Sequence, residues 1–102
     1  MSGSDVMDLI LSKTLSALAD PTRRRILQML GQRNLSAGEI AAEFNISAPS
    51  ISHHLNVLKS AELVVAQRQG QNIIYSLNAS IVQEMLQQLL ELFEVGVQKD
   101  AE

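Results

Sequence analysis

Cysteine is absent from the 102 residues, and with it go disulfides, thiolate metal sites and thiol redox switches. Aromatic residues make up only 3% while hydrophobic residues reach 46%, so a core has to be built from Leu, Ile, Val, Met and Ala. Helix-rich domains accept that composition, because Leu and Ala are good helix formers. No apolar run approaches the roughly 20 residues that span a bilayer, and no signal peptide is recognisable at the start. A cytoplasmic protein is therefore expected. The length suits one domain and is short for two, so residues 1–102 are read as a single unit.

Positive charge is also scarce, with a net of −3, which on its face argues against a nucleic-acid partner. Its distribution does not. Residues 22–75 hold six cations against three carboxylates, a local +3, whereas residues 1–21 carry −2 and residues 76–102 carry −4. A phosphate-binding face needs local positive potential, not a positive total.

Val6, Leu9, Ile10, Leu15 and Leu18 recur near helical spacing and predict a first helix over about 5–19. Asp20-Pro21 marks a new start, with Asp20 as cap and Pro21 in the first turn, where its missing N–H costs nothing. Ile26, Leu27 and Leu30 face inward on that second helix, and Gly31 is read as its stop. Ser36 and Glu39 form a capping box, with Leu35 and Ile40 as its hydrophobic staple, opening a short third helix over about 37–44. Ser47 caps a fourth, with Ile46 and Ile51 as staple, running to about Ala61. A short and a longer capped helix joined by a tight turn form a helix-turn-helix pattern. Leu63 to Arg68 and Asn72 to Leu77 then read as two strands of a hairpin around Gln69-Gly70-Gln71, with Ile73, Tyr75 and Leu77 on its half-buried face. A fifth helix follows over about 80–95. The order is α-α-α-α-β-β-α, a mainly α (α+β) winged helix-turn-helix with an extra helix at each end.

On the fourth helix Ile51, Leu55 and Leu58 cluster within about 60° and form the inward stripe. Pro49, Ser50, His53, Asn56 and Ser60 point away, with Ser52 and His54 on the flanks. Solvation alone is usually met with Glu and Lys, yet Ser47 to Leu58 contains no Asp, Glu, Lys or Arg. Ser, His and Asn near a helix N-terminus carry the donors and acceptors that read base edges, and the helix end brings N–H groups toward phosphate. Arg68 and the Gln69–Gln71 tip suit phosphate or minor-groove contact, although hairpin tips are polar in any case. Arg23, Arg24 and Arg25 open the second helix against its dipole, which hints at an anionic partner; a solvated face, or pairing of Arg23 with Asp20, accounts for them as well. The DNA-contact candidates are Ser47, Pro49, Ser50, Ser52, His53, Asn56, Arg68, Gln69, Gln71 and Arg24.

The fifth helix has too much apolar surface for one duty. Ile81, Met85, Leu89 and Leu92 follow one stripe; Val82, Leu86, Leu90, Phe93 and Val97 follow the next. One stripe can cover the domain while the other seeks a partner, so the terminal helices are expected to form a symmetric homodimer interface through Leu9, Val82, Leu86, Leu89, Leu90 and Phe93. The alternative is that both stripes serve the internal core. His53 and His54 diverge by about 100° around the helix and neither has a further ligand at i±3 or i±4, so no metal and no cofactor is expected. Enzymatic chemistry is disfavoured too: Ser52 and His53 are adjacent rather than facing, no carboxylate is placed to orient a histidine, and no Gly-rich phosphate loop exists.

At ALADPTRRRIL, EIAAEFNISAPSISHHLNVLKSAELV and RQGQNIIYSLN the chain resembles the ArsR/SmtB family of bacterial repressors, over about Leu15 to Leu77. The wording NISAPSISHHLNVLK is most similar to its cysteine-free, SdpR-like autorepressor branch. The resemblance implies dimeric operator binding, usually next to the repressor's own gene. It does not carry over the family's metal sites. One needs a cysteine cluster where EIAAEFN stands, and the other needs fifth-helix histidines where Ser80 to Val95 has none. The expected function is a sequence-specific repressor on an inverted-repeat operator. A winged-helix module that binds protein, and a metal-responsive repressor with a non-standard site, are the alternatives.

Overall fold

Asp20 and Pro21 divide the helical first third of the chain into α1 (Gly3–Leu18) and α2 (Pro21–Gln32). The computed structural model describes residues 3–94. Asp20 adopts extended backbone, and its carboxylate accepts the Arg23 N–H at 3.1 Å. Gly31 is not the stop that its identity implied. The buried Ile26 and Leu30 hold α2 onto the core past it, and the helix ends only where Arg33 turns extended, its N–H still bonded to the Met29 carbonyl at 3.3 Å. A Cβ added at Gly31 would lie 3.9 Å from Leu77 Cδ1, an ordinary contact. Gly31→Ala is therefore expected to stabilise the fold by about 0.5–1 kcal/mol. Thermal melts at matched protein concentration should show a rise of about 3–6 °C; a fall would mean that the α2–β3 packing cannot take a methyl group.

β1 (Leu35–Ser36) has no counterpart in the sequence reading, because two residues carry no periodicity. It leads into α3 (Ala37–Ala41), whose capping box is complete: Glu39 N–H donates to Ser36 Oγ at 3.1 Å and Ser36 N–H to Glu39 Oε1 at 2.9 Å. Leu35 and Ile40 are both buried beside it. α3 is shorter than expected. Beyond Ala41 the Glu43 and Phe44 N–H groups reach back only three residues, to Ile40 and Ala41, so the last stretch toward Phe44 is a tight turn.

α4 (Ala48–Ser60) starts at Ser47, whose Oγ accepts the Ser50 N–H at 3.3 Å, and buries Ile51, Leu55 and Leu58. It closes with Glu62 in the left-handed region, φ 63°. The Glu62 N–H bonds to Lys59 O at 2.8 Å and the Leu63 N–H to Leu58 O at 3.0 Å, a Schellman cap without its usual glycine. The cap returns Leu63 to the core, which is why β2 (Val64–Gln69) begins one residue later than expected.

β2 and β3 (Asn72–Leu77) form an antiparallel hairpin, and β1 adds to the far edge of β3 to give the order β1-β3-β2. Gln69 pairs with Asn72, so the turn holds two residues rather than three. Gly70, at φ 65°, takes the first turn position, where a primed hairpin turn needs positive φ. Tyr75, opposite Leu35 and Ala66, is buried, but Ile73 on the same face is 40% exposed because the hairpin outruns the core. α5 (Ala79–Glu94) starts after Asn78, lays Ile81, Val82 and Met85 against the core and touches α1. Val95, to which this helix was expected to reach, and Val97 lie outside the described residues.

Candidate nucleic-acid interface

Two caps and three buried residues fix which way α4 faces. With Ile51, Leu55 and Leu58 turned inward, Pro49, Ser52, His53, Asn56 and Ser60 are exposed along the opposite side and Ser50 is half-buried. Ser47 is exposed too, but its hydroxyl is engaged: it donates to Ser50 Oγ at 3.0 Å while accepting the Ser50 N–H. Arg68, Gln69 and Gln71 are exposed on the hairpin, and pairing with Ile73 sets Arg68 on the same sheet face as the buried Val64 and Tyr75, beyond the edge of the core.

The two adjacent histidines separate as helical geometry requires. His53 stays exposed, whereas His54 turns toward α2, its Nδ1 lying 3.2 Å from Arg23 Nη1 and 3.8 Å from Asp20 Oδ2. Among the described residues no three of His, Asp and Glu converge as a metal site would need. Arg23 also donates through Nε to Ala17 O at 2.7 Å and through Nη2 to Ser16 O at 3.1 Å, and Arg24 Nη1 donates to Leu18 O at 2.8 Å. These cations lie against the negative end of the α1 dipole. That corrects the expectation of an external anion for Arg23, and in part for Arg24, which remains exposed with one donor engaged. Sequence reasoning missed the arrangement because a helix C-terminus offers backbone carbonyls, and no side chain advertises them.

Burial tends to raise the Asp20 carboxyl pKa, but the Arg23 N–H and the neighbouring His54 and Arg23 side chains outweigh it, leaving the group below its ordinary range. Glu39 is lowered chiefly by the Ser36 N–H. Both carboxylates therefore support the fold above the ordinary carboxylate range and lose that role as the pH falls through their depressed values.

Most of the exposed large apolar residues lie on the terminal helices. Leu9 (71%), Leu86 (51%), Leu90 (55%) and Phe93 (73%) are exposed. Val82, expected on this surface, is half-buried against its own core, and Leu89 is also half-buried. Leu92, on the same stripe as Ile81 and Met85, is exposed, since this part of α5 has run past the core. No helix among the described residues is long and apolar enough to cross a membrane.

A domain family described as "Helix-turn-helix domain" matches residues 18–67, from the end of α1 into β2. Over 86 residues the chain is 46% identical to the transcriptional repressor SdpR of Bacillus subtilis (strain 168), covering 84% of this chain and 96% of that protein. The chain belongs to the ArsR/SmtB family. An ArsR-like transcriptional regulator from Rhodococcus sp. RHA1 superposes with a TM-score of 0.83 at 27% identity, over 93% of this chain and 90% of that one. The homodimeric winged helix-turn-helix DNA-binding domain from Mycobacterium bovis superposes with a TM-score of 0.73 at 25% identity, over 92% and 89%. The ArsR/SmtB proteins are transcriptional regulators, not enzymes, and in this member α3 and α4 form the helix-turn-helix and the β2–β3 hairpin forms the wing.

Proposed function

We propose that the protein is a cytoplasmic, sequence-specific repressor that binds an inverted-repeat operator as a homodimer and represses its own gene. The observation that carries the DNA-reading role is the exposed side of α4, with its hydroxyls, one imidazole and one amide and no carboxylate, together with the exposed Arg68 on the wing. Ser50, Ser52, His53 and Asn56 would address base edges in the major groove, and Pro49 would pack on the sugar–phosphate rim. Arg68, Gln69 and Gln71 would contact backbone or minor groove, and Arg24 would add charge at the flank. Leu9, Leu86, Leu90 and Phe93 would seal two copies together, with Leu89 and Val82 at the inner margin of the seam. The likeness to SdpR, a repressor, supports the repressor reading. Gel-shift titration against salt separates it from a protein-binding module. Operator DNA should be bound with a steep negative log–log salt slope and preferred over random DNA; binding to neither DNA would discard the reading.

A further inference from the structure

Beside the outward side of α4 runs a groove of about 310 Å³, walled by α4 and by α1. α1 supplies Lys13 and Ser16, and α4 supplies His53, Asn56 and Ser60, over a floor of Ala17 and Val57. The lining holds one lysine and no carboxylate. Two further grooves differ: one includes Glu39 and Glu43 beside Arg33, the other follows Arg25 along α2, and neither touches α4. The sequence gives no hint of this placement, because Lys13 lies in a segment of net negative charge.

Leu9, Lys13 and Ser16 are spaced i, i+4 and i+7, which sets them along one side of α1. That side starts at the apolar surface offered to a second copy and arrives, one turn later, at the groove. Immediately behind the groove wall, the Arg23 guanidinium is fixed on the Ser16 and Ala17 carbonyls at 3.1 and 2.7 Å. Two positive charges thus flank the reading side of α4, one exposed on Lys13, the other held in place on Arg23.

We infer that Lys13 is a phosphate-contacting residue: when α4 enters the major groove, the Lys13 ammonium reaches the adjoining DNA backbone, with the Ser16 and Ser60 hydroxyls as supporting donors. α1 then serves DNA binding as well as assembly. A lysine is a compact charge with three donors, suited to a phosphate oxygen, and it lies to the side of His53 and Asn56 rather than among them. The inference rests on the assignment of α4 as the reading helix.

The test compares the unaltered protein with Lys13→Gln and Lys13→Arg on operator and random DNA across salt. Lys13→Gln should flatten the log–log slope by about 0.9 per contact, twice per dimer, so that between about 50 and 200 mM salt it loses roughly tenfold less affinity than the unaltered protein. Operator and random DNA should weaken together, Lys13→Arg should keep the slope, and light scattering should show an intact dimer for both variants. An unchanged slope for Lys13→Gln, a loss confined to operator DNA, or a dimer that falls apart would each overturn the inference. Failure of the unaltered protein to prefer operator DNA would instead sink the assignment of α4.

Discussion

Leu90→Glu is expected to convert a dimer into a folded monomer, giving 11.2 kDa in light scattering at micromolar concentration where the unaltered protein gives twice that mass. In the protomer Leu90 is more than half exposed, so a carboxylate there remains solvated and the fold survives. In the dimer the same carboxylate would be sealed in the seam without a partner, at about 3 kcal/mol each. Two-fold symmetry counts it twice. The dissociation constant should then rise roughly 10⁴-fold. Far-ultraviolet circular dichroism should be unchanged, and operator affinity should collapse because a lone protomer reaches one half-site. A variant that keeps the dimer mass would locate the interface elsewhere than on α5.

Substitutions on α4 and on the wing should fail in different ways. His53→Ala and Asn56→Ala remove exposed groups that hold no side-chain hydrogen bond among the described residues. They should cost about 1–3 kcal/mol on operator DNA and little on random DNA, narrowing the specificity ratio by roughly 5- to 150-fold. Arg68→Ala removes a cation from the hairpin and should weaken both DNAs. It should also flatten the salt dependence by about 0.9 in log–log slope per phosphate contact, or nearly two such units in the dimer. Equal losses on both DNAs for the α4 variants would turn His53 and Asn56 into backbone contacts.

Much of this architecture is legible in the sequence because its signals are local. Ser36 with Glu39, Ser47 ahead of Ile51, and Asp20 ahead of Pro21 each specify a helix start through hydrogen bonds that span three residues, and all three starts are found. What sequence could not give is set by distant partners. The pairing of Leu35 with Tyr75 creates β1, and burial against β3 carries α2 through Gly31. The same holds at the candidate interface. Helical period alone placed His53 outward and His54 on a flank, but only the approach of α1 and α2 reveals that His54 meets Arg23 and that two arginines close the α1 terminus. Val82, expected at the seam, packs on its own core while Leu92 is exposed, because the position of a helix relative to the end of the core is not encoded in its period.

The central claim is that two copies of α4 read two half-sites on one side of a duplex. Recovery of bound genomic fragments, followed by footprinting of the unaltered protein on the enriched sequence, tests it most directly. The expected protection covers an imperfect inverted repeat whose half-sites lie about 10 bp apart, or a small multiple of that, in successive major grooves. The repeat should occur next to the gene for this protein. Protection of a single unrepeated site, or enrichment of no sequence over random fragments, would contradict it.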